Sequence, residues 1–137
     1  MATRSTIAVK LNDGKFKQVY CHWDGYVEGG VGETLCKHYN TQELAELVVS
    51  GGSISSLAEN FSTTLPHSFD APCENVTVLY HRDRREDLNI DTYDNEEMLR
   101  LNGQEEQYNY VWKDGTWYVA GKKLSDLLQG CDEEYED

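Results

Sequence analysis

The sequence predicts an α+β domain of two layers, in which an antiparallel sheet of about five strands is covered by helices on one face. Three observations carry that prediction. Asp13-Gly14 and Asp114-Gly115 each sit between β-branched and aromatic runs, which is the mark of a tight hairpin. A single β-branched run, Val76 to His81, stands between the two hairpins. The segments of helical periodicity fall in the interval between the hairpins and after the second one. The chain has 137 residues, 39% of them hydrophobic, enough for one domain with a core of its own. Residues 1–130 read as that domain, and residues 131–137 as an acidic disordered tail.

Taken in order, Ile7, Val9 and Leu11 alternate with polar or small residues, and Phe16 to Trp23 supplies the returning strand of the first hairpin. Asp24 to Gly32 is a glycine-rich loop. Val31, Leu35 and His38/Tyr39 recur at helical spacing, which predicts a helix ending near Asn40. Asn40 and Glu43 have capping-box spacing for a second helix, Gln42 to Val49, with Leu44, Leu47 and Val48 as its buried stripe and Gly51-Gly52 as its stop. Ser53 to Leu57 is expected to close a short turn of helix. Glu59 to Cys73 carries both prolines, Pro66 and Pro72, and reads as a long surface loop. Asp94 is placed as the cap of a short helix through Glu97 to Leu101. Tyr108 to Trp112 and Thr116 to Val119 form the second hairpin, and Leu124, Leu127 and Leu128 a terminal helix stopped at Gly130.

Lys and Arg total 12 against 25 Asp and Glu, a formal net charge of -13. That balance disfavours direct binding to nucleic acid or to an anionic membrane and points to a protein partner with a basic surface. No apolar run has the ~20 residues of a membrane span, and Met1 to Ser5 leads into no signal-like segment, so a cytoplasmic protein is expected. The four cysteines, Cys21, Cys36, Cys73 and Cys131, lack C-x-x-C spacing and are expected to be reduced. The expectation is of no metal and no cofactor, since neither Cys21/His22 nor Cys36/His38 has the short spacing of a structural zinc site.

The segments Thr3 to Ala8, Tyr20-Cys21-His22-Trp23-Asp24-Gly25-Tyr26, Glu28-Gly29 and His38-Tyr39 resemble a family of small accessory proteins of tailed bacteriophages and prophages. Gly52 to Leu57 and the Trp117-Tyr118-Val119 hairpin fit the same pattern, so the likeness spans most of the chain. Related sequences read Gly-Tyr-Pro-Glu-Gly where this one has Val27 and an extra glycine, which implies a looser loop. The resemblance implies a phage accessory origin, action in the cytoplasm of the infected bacterial host, and no particular activity.

Two regions carry candidate chemistry. The first is acidic: Asp83, Glu86, Asp87, Asp91, Asp94, Glu96 and Glu97 fall within one window. Carboxylates spread over a compact surface can stand in for nucleic-acid phosphates before a basic cleft. Arg82, Arg84 and Arg85 interrupt the window, and an acidic surface that only keeps a protein soluble is the plainer alternative. The second is the loop of His22, Trp23, Asp24, Tyr26, Gly29, Gly30 and Gly32, where glycines before a helix leave amides for an anion. Its phosphate fingerprint is incomplete, and Glu28 and Glu33 would repel a phosphate. The structural alternative has Trp23 and Tyr26 packing the sheet edge, with the glycines making the turn. No nucleophile is placed by spacing, so catalytic residues are not assigned. The expected function is a phage-encoded acidic interaction protein that binds and inhibits a host enzyme or defence factor, with nucleic-acid mimicry as one route. A small nucleotide-binding protein or enzyme using the 22–32 loop is the alternative.

Overall fold

The structure is a computed structural model, and it describes residues 3–59, 61, 77–80, 88–103 and 106–128. The first Asp-Gly hairpin forms as predicted, with β1 (Ser5–Lys10) and β2 (Phe16–Cys21) antiparallel and Gly14 at positive φ in the turn. Helices α1 (Val31–His38) and α2 (Gln42–Val48) follow. The chain then forms β3 (Ile54–Ser56), where a turn of helix was expected, and β4 (Val78–Leu79) in the predicted third-strand run. A strand β5 (Asp91–Tyr93) leads into α3 (Glu96–Asn102). The second hairpin, β6 (Tyr108–Lys113) and β7 (Thr116–Val119), is followed by β8 (Lys122–Lys123) and α4 (Leu124–Leu127).

One mixed sheet of eight strands corrects the expected antiparallel sheet of about five. Its order is β4-β3-β2-β1-β6-β7-β8, with β5 pairing a second stretch of β2's outer edge. The two hairpins meet through their leading strands, and β1 runs parallel to β6 from Ser5/Tyr108 to Val9/Trp112. β2 and β3 are also parallel, joined by a crossover that contains α1 and α2. Alternation assigns each residue a face and says nothing of which strand lies alongside, so the parallel joint is invisible in the sequence pattern. β3, β5 and β8 are two or three residues long, too short to show a period.

The expected single covered face is corrected as well. Ile7 and Val9 belong to a large core with Leu35, Val48, Tyr110, Trp112, Trp117 and Leu124, beneath α1, α2 and α4. Ala8 and Phe16, of opposite parity, form a second, smaller core with Leu99 of α3. α2 is capped by Thr41, whose side chain accepts from Leu44 N at 3.1 Å, and it buries Val48 as expected together with Ala45, while Leu44 is exposed and Leu47 only half-buried. Asn95, one residue past the expected Asp94, caps α3 by accepting from Met98 N at 2.9 Å. Cys21 is free and buried, whereas Cys36 is disulfide-bonded, which corrects the expectation of reduced thiols at that position. Most of the predicted 59–73 loop, the charged stretch 82–87 and the acidic tail lie outside the described residues. No helix among the described residues is long and apolar enough to cross a membrane.

Candidate functional site

The glycine-rich loop is wired into the fold by its own backbone. Gly25 N donates to Thr3 O at 2.8 Å, and the Tyr110 hydroxyl donates to Gly25 O at 2.6 Å. The first three amides of α1, on Val31, Gly32 and Glu33, donate to the carbonyls of Asp24, Tyr26 and Val27. A helix start normally leaves those donors open, and here the preceding loop consumes them. Two residues before the helix, Gly29 N is taken by the Glu33 carboxylate at 2.8 Å. Lys37 at 2.6 Å and the Gly29 amide hold the Glu33 carboxyl below its ordinary value. Four of the amides at this helix entrance, those of Gly29, Val31, Gly32 and Glu33, are therefore engaged.

Two of the glycines answer to sterics. A Cβ on Gly30 would sit 2.4 Å from Asp24 O and 2.5 Å from Tyr26 O, and one on Gly32 would sit 2.8 Å from Val27 Cα. Gly29 is the residue at positive φ, +77°. Asp24 adopts φ 59° without being glycine, as aspartate does more readily than most residues.

The side chains of this loop do not form the acid–base pair that His22 and Asp24 suggest. His22 Nδ1 lies 2.6 Å from the Tyr20 hydroxyl, and Asp24 accepts from the Tyr26 hydroxyl at 3.0 Å. Burial pushes the Tyr20 phenol up, with the Arg4 guanidinium working against it. Trp23 is not in the core. It is 43% exposed and Tyr26 is 38% exposed, with the His22 ring edge-on to Trp23 at 4.7 Å. The sheet-edge packing expected for these two aromatics is thus only partial.

Of the acidic window, Asp91, Asp94, Glu96 and Glu97 are described, and all four are exposed on β5, α3 and the turn between them. Asp83, Glu86 and Asp87 lie outside the described residues. Glu96 is ion-paired with Lys113 across the sheet surface. Asp94 and Glu97 flank an apolar pair that sequence reasoning missed: Met98 is 41% exposed and Leu101 63% exposed, three residues apart on one side of α3. The available signal was the sequence Met98-Leu99-Arg100-Leu101. Adjacent helical positions are about 100° apart, so a short helix that buries Leu99 must turn Leu101 outward. Among the described residues no three His, Cys, Asp or Glu side chains gather as a metal site would require.

No protein-family model, curated protein or solved structure matches the chain.

Proposed function

We propose that the protein is a phage-encoded interaction protein that binds a basic surface on a host enzyme or defence factor and inhibits it, without chemistry of its own. The observation that supports this reading is the outer side of α3, where Met98 and Leu101 form an apolar centre beside the carboxylates of Asp94 and Glu97. An apolar centre within a charged rim is how protein interfaces are built, with affinity from the centre and steering from the rim. At a net charge of -13 the long-range field attracts a basic partner, and the carboxylates occupy the role of phosphates if that partner is a nucleic-acid enzyme. The nucleotide reading of the 22–32 loop is the weaker one, because the first amides of α1 are bonded within the loop.

The experiment is quantitative capture from host lysate followed by assay of the captured protein's own activity. The intact chain should retain and inhibit one host protein, with association slowing as salt rises and the Debye length shrinks to ~8 Å. Leu101→Asp, and separately Asp94→Lys with Glu97→Lys, should abolish both capture and inhibition. Capture that survives both variants, or that is lost on His22→Ala with the fold intact, overturns the reading.

A further inference from the structure

The second face of the sheet carries a cleft of about 220 Å³ between α3 and the β6–β7 hairpin. Val111 and Ala120 supply its accessible apolar part above the buried Leu99, and Arg100, Lys113, Tyr118 and Glu96 its polar part. The register explains the grouping. Val111 pairs with Tyr118 and Lys113 with Thr116, so Val111, Lys113 and Tyr118 share one face, opposite to Trp112 and Trp117. Glu96 and Arg100 are one turn apart on α3, on the side that flanks Leu99.

The charges in the cleft are unevenly committed. Lys113 is ion-paired with Glu96, and its ammonium stands 5.1 Å from the centre of the Tyr118 ring. The Arg100 guanidinium and the Tyr118 hydroxyl have no hydrogen-bond or ion-pair partner among the described residues. Arg100 and Lys113 against Glu96 leave one net positive charge here, in a chain whose total is strongly negative.

We propose that this cleft binds a small monocarboxylate with a short apolar body. The carboxylate is received by Arg100, with the Tyr118 hydroxyl as a second donor, and the apolar body lies on Val111 and Ala120. A guanidinium is the side chain best shaped for a carboxylate. The volume suits a molecule below drug size, since such pockets usually exceed ~300 Å³. Phosphate is disfavoured by Glu96, because a group carrying about -1.5 to -2 charges exceeds the single net positive charge available. The cleft does not include the apolar pair on α3: neither Met98 nor Leu101 lines it, and Arg100 is about 200° around the helix from Met98 and about 100° from Leu101.

The test is an amide-resolved NMR titration of the full chain with benzoate and 3-methylbutanoate at fixed ionic strength, with inorganic phosphate as a third probe. Benzoate should shift the amides of Arg100, Lys113 and Gly121 saturably, with Kd on the order of 1 mM, as befits so small a ligand. Arg100→Gln should weaken it by about tenfold, the equivalent of one charge-assisted hydrogen bond, and Tyr118→Phe by about threefold. Phosphate should not compete with the native chain and should begin to do so in Glu96→Gln. Arg100→Gln keeps a polar helix-forming side chain and Tyr118→Phe keeps the ring, and a dispersed spectrum verifies folding before titration. Absence of saturable shifts from both carboxylates, equal affinity in Arg100→Gln, or phosphate competing at native Glu96 overturns the proposal.

Discussion

Trp117 and Tyr118 are neighbours on β7 and face opposite sides of one sheet, and little else about their surroundings is alike. Trp117 is buried, meets Trp112 edge-on at 5.3 Å, and donates its indole N–H to Tyr39 O at 2.8 Å. Tyr118 is half-buried beside a cleft, with a lysine over its ring and no hydrogen-bond partner for its hydroxyl among the described residues. The same contrast holds for the whole sheet. On the first face three helices among the described residues seal the core, and most of its polar atoms are paired: Trp112 donates to Gln42 Oε1 and Tyr39 to Ala58 O, with the buried Ser5 hydroxyl as the exception. On the second face, among the described residues, one seven-residue helix covers Ala8 and Phe16 with Leu99 and leaves charges and apolar side chains open. Stability is concentrated on one side, and the features that fit a ligand or a partner lie on the other. A marginally stable domain can carry an incompletely covered face only where the opposite one is well packed.

The strongest way to break this comparison is to truncate the two neighbours. Trp117→Ala should cost about 3–5 kcal/mol in a denaturant melt, from the lost aromatic burial and the stranded carbonyl of Tyr39. Tyr118→Ala should cost under about 1 kcal/mol, as surface substitutions do. Equal losses would mean that the second face is as integral to the fold as the first.

The loop at the edge of the first face gives the next effect. Gly30→Ala forces a Cβ against two backbone carbonyls that cannot retreat without releasing the amides of α1, and should cost about 1–3 kcal/mol. Gly29→Ala has open space around its Cβ and incurs only the strain of positive φ, about 1 kcal/mol. A larger loss at Gly29 than at Gly30 would show that backbone conformation, and not close packing, dictates this loop.

These positions also show what the sequence disclosed. Asp-Gly pairs announce their turns because positive φ is chemically restrictive, and both hairpins are found where those pairs stand. The alternation of Ile7 and Val9 marked the first face correctly. Ala8 and Phe16 gave no warning of a second core, because a small residue in a strand reads as filler until a helix is seen above it. Trp23 was expected at the sheet edge from its size alone. Its exposure follows from the turn at Asp24, which takes the chain off the sheet one residue later. Gly32 was weighed as an anion-binding residue against a structural part in the turn, and it serves the close approach of Val27. The cleft joins residues from α3 and the β6–β7 hairpin, and no local pattern reports a contact that the fold alone creates.

Alkali should act most strongly on the first face. Burial pushes the Cys21 thiol from its ordinary 9.0 up to about 12 and the Tyr39 phenol from 10.0 up to about 12, and raises Tyr110 also. These acids stay neutral in the folded chain and ionise first in the unfolded one. Their contribution is complete below about pH 9 and is lost as pH rises toward 12, by at most about 1.4 kcal/mol per pH unit for each group. Urea melts at pH 8, 9 and 10 should show the decline, and Cys21→Ala should make it shallower even though it lowers stability at pH 8. A decline unchanged by Cys21→Ala would place the titrating groups elsewhere.

The smallest expected effect has the opposite sign of pH dependence. The Glu33 carboxyl is held below its ordinary 4.5, chiefly by the hydrogen bond from Lys37 and then by the Gly29 amide. A carboxyl with a depressed value in the folded chain contributes above the ordinary value and loses that contribution as pH falls through the depressed one. Glu33 lies at the surface with its side chain about a third exposed, so solvent screens both partners and the global melt should not register the loss. A local probe should: the Gly29 amide signal should move with a midpoint below 4.5, and Glu33→Gln should remove that titration while the amides of Val31 and Gly32, bonded to loop carbonyls, stay in place. If Val31 and Gly32 instead shift together with Gly29 on acidification, the carboxylate governs the whole entry to α1. The amides of that helix would then be open to an anion once Glu33 is neutral, and the loop would regain the ligand role that its backbone bonds now deny it.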